Sequence, residues 1–431
     1  MAGLPHTSRR RFLAAALAAG GCSHLRIEAK DRPAEPGKAS IVAWNLAILD
    51  AVKTSASSPC QASRSLAIIH AAALDAFQAQ QKLPTLLRPA GGVAAGTAPG
   101  EASMAGACFT ASSALFPARL PVFETLLARQ LGAFPEAQRA KAREAGATWA
   151  QVHLDARAGD GASRSITYVP VLKPGHWRRT PSRFRPPELP HWRQLQPFTL
   201  KDSSQFRPGP PPALTSPEYL AGWSRVRDIG GARSTVRTDR ETLIARFWSC
   251  FSYTVTPAGH WPAILGELVA RKAMPMERAV RAYALLSMST ADAAIAAWDA
   301  KYTYEFWRPV HAIPMADSDG NADTRPIEDW KPLLETPPHP EYVSGHSAIG
   351  QAGAEVMKHI FGDDLQTFDA HSDTVADTTR HFTTFQSCVD EMSLSRVLGG
   401  IHFPFSTAAG QALGRKTAPQ SIKWMHERLG A

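Results

Sequence analysis

Apolar residues recur at three- and four-residue intervals along most of this chain, the spacing of helices with one buried face. The periodicity predicts helices near 38–54, 58–81, 119–132, 136–157, 216–229, 238–249, 261–272, 277–300, 344–361, 386–398 and 406–428. No alternating apolar–polar run bounded by hairpin turns stands out, so the expected fold class is all-α. Two stretches break the pattern. Residues 83–101 are rich in Gly, Ala and Pro and read as an exposed loop. Residues 165–214 hold eleven prolines between Pro170 and Pro212, an interruption long enough to be functional or a connector. Its Trp177, Phe184, Trp192, Phe198 and Phe206 suggest an ordered cover lining a substrate entrance. The chain therefore divides into a leader and tail (1–30), an N-terminal helical bundle (38–164), the Pro-rich connector (165–214) and a C-terminal helical domain (215–431).

Composition narrows this picture. The chain has 431 residues, 44% hydrophobic and 20% charged, enough for one large core or two fused bundles. Ser8-Arg9-Arg10 followed by Phe12-Leu13 and a short run of small apolar residues has the layout of a twin-arginine export signal. An exported protein, periplasmic or extracellular, carried by the twin-arginine translocase, is the expectation. Cys22 offers a lipoprotein alternative, although Ala19 stands where such sites usually have Leu. The formal charge is +9, and residues 1–24 hold three Arg and no acids, so a mature chain keeps 9 − 3 = +6. Its basic residues are dispersed rather than clustered with aromatics, so no nucleic-acid partner is expected. Cys60, Cys108, Cys250 and Cys388 admit up to two disulfides in three pairings, or four buried thiols. Oligomeric state is not legible.

Three stretches in the second half carry chemistry. Lys301 and Arg308 in KYTYEFWRP are seven apart, which would put both on one helix face, with the helix ending before Pro309. Ser344-Gly345-His346 precedes a helical segment whose free N–H groups would face an anion. Arg396 and His402 are six apart, and Gly399-Gly400 between them would break a helix and let them converge. Alone, each is ordinary: a solvated basic edge, a helix cap, a chance pair. Together, in this order, they supply three cations, a hydroxyl, a glycine and two imidazoles, which suits a tetrahedral oxyanion such as phosphate or vanadate. His70 and Asp75, on an apolar helical face, read instead as satisfied core groups.

These motifs resemble those of the vanadium-dependent haloperoxidases, whose site architecture is shared with the type 2 phosphatidic acid phosphatases. The family pattern Lys-x6-Arg-Pro, Ser-Gly-His and Ser-Arg-x5-His-x3-Asp is matched at Lys301, Arg308, Pro309, Ser344, Gly345, His346, Ser395, Arg396 and His402. Segments such as ASRSLAIIHAAALDAF (62–77), LPHWRQLQPFTL (189–200) and DAAIAAWDAKYTYEFWRPVHAI (292–313) resemble the bacterial branch, and the likeness runs from about residue 40 onward. It implies two helical bundles with the site in the C-terminal one. It further implies vanadate as cofactor, with His402 ligating vanadium and Lys301, Arg308, Ser344, Gly345 and Arg396 holding its oxygens. His346 would be the general acid–base, and Lys301 would polarise bound hydrogen peroxide, with halide and an organic acceptor as further substrates. The family Asp that orients the ligating histidine is Ser406 here, which would weaken that support; Asp390 and Glu391 are possible substitutes. Trp298 lies beside the site motif, and His339, five before Ser344, resembles bromoperoxidases, so bromide or iodide is expected. The same residues also suit an exported acid phosphatase working through a phosphohistidine at His402, or an oxyanion-binding protein.

Overall fold

Local chemistry sets the helix boundaries. Ser58 caps the N3 amide of Gln61 while Gln61 returns the bond to the Ser58 N–H; Thr238 and Glu241 repeat this capping box. The computed structural model describes residues 40–89 and 95–430. In chain order the helices are α1 (Ser40–Thr54), α2 (Pro59–Gln80), α3 (Gly100–Leu115), α4 (Leu120–Leu131), α5 (Glu136–Ala156), α6 (Pro217–Gly230) and α7 (Asp239–Phe247). They continue as α8 (Thr256–Arg271), α9 (Met276–Tyr304), α10 (Pro309–Ala312), α11 (Gly345–Phe361), α12 (Phe385–Leu398) and α13 (Pro404–Leu429). A two-stranded antiparallel sheet, β1 (Leu365–His371) and β2 (Thr379–Thr384), precedes α12. The fold is all-α apart from this hairpin.

The 29-residue α9 is the common support. From Ala279 to Tyr302 it is almost wholly buried, and its many Ala and Ser side chains let neighbours approach closely. Helix α2 packs on it, and α2 in turn holds α3 and α5; α11 and α13 pack on it and on each other. Its C-terminal turn delivers Lys301; Arg308 caps α10, Ser344 caps α11, Arg396 lies on α12 and His402 in the turn before α13.

Three expectations are corrected. Helix α3 lies where the loop was expected to end and no helix was anticipated; its small side chains are buried between α2 and α5, so it has no polar stripe to reveal a period. The β hairpin was also unexpected. Its inward positions on β1 are Gln366, Phe368 and Ala370, and only one of these is strongly apolar, so the alternation is hidden. Helix α9 stops at Tyr304, with Glu305 in the left-handed region at φ 50°, so Lys301 and Arg308 do not share a helix face. Arg308 is extended (φ −89°, ψ 154°), as a residue preceding proline should be.

The connector is irregular and pinned to the helices. Asp292 on α9 accepts from the Phe198, Thr199 and Leu200 amides at 2.6, 2.7 and 3.2 Å. Arg207 forks onto Asp299 at 2.5 and 2.8 Å. Trp177 and Trp192 are buried, whereas Phe184, expected in the cover, is 55% exposed. His70 bonds Ser287, and Asp75 accepts from two amides and meets His153, so both are core groups. The four described cysteines are buried free thiols, which removes the disulfide alternative. The twin-arginine segment and Cys22 lie outside the described residues. No helix among the described residues is long and apolar enough to cross a membrane.

Candidate functional site

Lys301, Arg308 and Arg396 are each at most 1% exposed. The Lys301 ammonium donates to the carbonyls of Pro340, Glu341 and Val343 at 3.0, 3.0 and 2.5 Å. Three simultaneous donations require the protonated form, although burial and Arg308 push this group down. Arg308 donates through Nε to the His339 carbonyl at 3.0 Å and through Nη1 to the Ile401 carbonyl at 2.7 Å. Arg396 donates to the Trp248 carbonyl at 2.7 Å, and its Nε has no partner. Burial lowers Arg308 to about 9 and Arg396 to about 10, so both stay charged near neutrality. Two carboxyls lie among these cations: Glu341, and Glu188 from the connector, which burial pushes up against the pull of Arg185, Arg308 and Lys301. Even with both ionised the cluster keeps 3 − 2 = +1. A buried charge excess of this kind is costly unless an anion joins it.

Gly399 and Gly400 bring Arg396 and His402 together as anticipated. Gly400 sits at φ +73°, where a Cβ would lie 2.2 Å from the Gly230 carbonyl oxygen, so only glycine closes this turn. The His402 ring is then held on both nitrogens. Arg308 Nη1 lies 3.1 Å from Nε2, and Glu341 Oε1 lies 2.8 Å from Nδ1. A guanidinium can only donate, so Nε2 carries the lone pair and Nδ1 carries the proton. Burial, then Arg308 and Lys301, push the imidazole well below its ordinary range, in keeping with this neutral tautomer. Nε2 is thus the acceptor nitrogen, and it faces the cations.

Ser344 caps α11, accepting from the Ser347 N–H at 3.3 Å. Gly345 starts that helix against the Trp298 ring, where a Cβ would come within 3.4 Å. His346 follows, partly exposed, with Nε2 unpartnered; burial, Arg396 and His260 hold it well below its ordinary range. His339 packs on Trp298 at 4.8 Å between ring centres. Its Nδ1 lies 3.0 Å from Arg308 Nη2 and 3.2 Å from the Pro340 carbonyl. Trp298, Lys301, Arg308, His339, Ser344, Gly345, His346, Arg396 and His402 therefore lie in one neighbourhood.

The support for His402 is where the sequence reading fails. Ser406 Oγ is 3.4 Å from Nδ1, at the edge of a hydrogen bond, and Glu341 occupies the nearer position. Neither expected substitute takes part: Glu391 pairs with Arg380 and Trp248, and Asp390 bonds Gln386 and Gln411. Glu341 was missed because it lies 61 residues from His402, outside any helical spacing. Its only sequence signal is a carboxylate three residues before Ser344, inside the loop that the Ser-Gly-His motif closes. Glu188, on the connector, has no comparable signal.

The donor set fits vanadate. It offers one imidazole whose acceptor nitrogen faces the cations, three buried cations, the unpartnered Arg396 Nε, a hydroxyl and a helix N-terminus.

A helix bundle that buries excess cations around a neutral, tautomer-fixed histidine is suited to an oxyanion. Residues 281–430 match the family model for the VCPO second helical-bundle domain. The vanadium chloroperoxidase of Curvularia inaequalis is 23% identical over 332 residues, covering 61% of this chain and 53% of the relative. The chain thus spans about half the length of that curated relative. The crystal structure of the first bacterial vanadium-dependent iodoperoxidase superposes with a TM-score of 0.78 at 27% identity, covering 92% of this chain and 98% of that one. A holo-type bacterial vanadium-dependent chloroperoxidase shares the fold at TM-score 0.66 and 16% identity, over 87% and 94% of the two chains. Residues 281–430 thus carry the VCPO second helical-bundle domain, and the chain as a whole is similar to vanadium-dependent haloperoxidases.

Proposed function

We propose that this protein is a vanadium-dependent haloperoxidase that uses hydrogen peroxide to oxidise bromide or iodide. The observation that carries the reading is the His402 Nε2 lone pair presented among three buried cations with net positive charge. His402 would ligate the metal, and Lys301, Arg308, Arg396, Ser344 and the Gly345 N–H would hold the oxyanion oxygens. A bound vanadate supplies a Lewis acid that activates hydrogen peroxide toward halide without changing its own oxidation state. His346, with an unpartnered Nε2 and a neutral ring, is placed to accept a proton from the incoming peroxide. Lys301, kept protonated by its bonds to three carbonyls, would stabilise negative charge on the reacting oxygen through its field. His339, a polar ring beside Trp298, supports bromide or iodide, and one relative by structure is an iodoperoxidase.

Export by the twin-arginine route is part of the same proposal, carried by Arg9-Arg10 and the apolar run after them.

The carboxylate on His402 Nδ1 favours one further reading. A nucleophilic histidine needs such a partner, so an acid phosphatase forming a phosphohistidine at His402, with His346 protonating the leaving group, suits the same atoms. One experiment separates the two. Purified protein is assayed for bromide- and iodide-dependent halogenation of a dione reporter with and without orthovanadate, beside phosphoester hydrolysis. Halogenation that requires vanadate and disappears in His402→Ala supports the haloperoxidase. Vanadate-inhibited hydrolysis without halogenation supports the phosphatase.

A further inference from the structure

The family's orienting carboxylate comes from one helical turn beyond the ligating histidine, and this chain has Ser406 there. We infer that Glu341 has taken over that task from a different element, so that it is a positioning residue for His402. The inference rests on the reading of His402 as the vanadate ligand. Glu341 is fully buried and reaches His402 Nδ1 at 2.8 Å. The same Oε1 accepts the Phe403 N–H at 3.0 Å, which fixes the carboxylate against the backbone that follows His402. Its own carbonyl accepts from Lys301 Nζ at 3.0 Å, and its N–H donates to the Phe306 carbonyl at 2.9 Å. One residue therefore ties the Lys301 helix, the Phe306–Arg308 segment and the His402 turn to the loop that closes on Ser344.

The consequence for the ring is specific. With Arg308 on Nε2 alone, the imidazole could tip about its Cβ–Cγ bond. A second bond at Nδ1 holds its plane and keeps electron density on Nε2, which strengthens that nitrogen as a ligand. The Ser406 hydroxyl, 3.4 Å from both Nδ1 and the Glu341 carbonyl, fills the place of the family carboxylate without contributing charge. Glu341 Oε2 has no partner, so the carboxylate is committed through Oε1.

The test measures orthovanadate affinity directly, by calorimetry and vanadium-51 resonance, on wild type, Glu341→Gln, Glu341→Ala, Ser406→Asp and Glu341→Ala with Ser406→Asp. Glu341→Gln keeps the shape and loses the charge, and should weaken vanadate binding roughly 10- to 100-fold. The double variant, with a carboxylate restored at the family position, should recover most of that loss. Circular dichroism checks that each variant is folded, and if Glu341→Ala does not fold, Glu341→Gln decides. Unchanged affinity in Glu341→Gln overturns the inference. So does a loss that Ser406→Asp does not restore in the folded double variant, because Glu341 would then matter only to packing. Absence of vanadate binding by wild type would instead remove the proposed function itself.

Discussion

At His339 the ring sits on Trp298 with Nδ1 against Arg308 and the Pro340 carbonyl, and replacing it with Phe removes the ring's polar nitrogens while keeping the aromatic contact. His339→Phe should shift halide preference toward chloride, seen as a raised ratio of chloride to bromide turnover in the vanadate-loaded enzyme. An unchanged ratio would remove His339 from the argument about halide. His346 has a different signature. Its Nε2 is unpartnered and its role is proton transfer, so His346→Ala should lower turnover roughly 10²- to 10⁴-fold. Orthovanadate affinity should fall much less, because His346 is not the ligand. Equal losses in both would mean that His346 holds the oxyanion rather than moving protons.

Elements place these residues, and one turn does most of it. Gly400 stands at φ +73° with the Gly230 carbonyl 2.2 Å from where a Cβ would be. Gly400→Ala should cost at least about 1–3 kcal/mol for the left-handed backbone alone, with the clash added. Urea denaturation followed by circular dichroism measures it, and a change within error would contradict this account of the turn. Most long helices were legible because their buried faces recur every three or four residues, as in α2 and α11. Helix α3 was not, because it is mostly small residues buried around much of its circumference. The β1–β2 hairpin was not, because Gln366 and Ala370 fill inward positions that alternation assigns to large apolar residues. The site motifs were legible as types and order, since Lys301, Arg308, Ser344, Arg396 and His402 are bound to local turns. Their geometry was less so: Arg308 comes from an extended segment after Glu305 reverses the chain, which seven-residue spacing cannot show. The Glu341–His402 contact was invisible, being a tertiary pairing between two loops.

Across the whole molecule, burial of neutral imidazoles makes stability depend on pH. Burial holds His70 down to about 3 and His260 to about 4, against an ordinary value of 6.5. Below pH 6.5 the unfolded chain takes up protons that the folded chain refuses. Stability is therefore complete above pH 6.5 and is lost as pH falls toward 4 and then 3. At pH 5 the loss should be about 2 kcal/mol per histidine. Urea midpoints at pH 7.5 and 5.0 should differ accordingly, and His70→Gln should shrink the difference; an unshrunk difference would place the effect elsewhere. The more direct question is whether the interior charge excess exists to hold vanadate at His402. Titrating the folded, metal-free protein with orthovanadate, beside His402→Ala, answers it. One site per chain in wild type, with halide-dependent peroxide consumption appearing in proportion to its occupancy and both lost in the variant, is the expected result. Wild-type protein that binds no vanadate, or binding and turnover that survive His402→Ala, would contradict it.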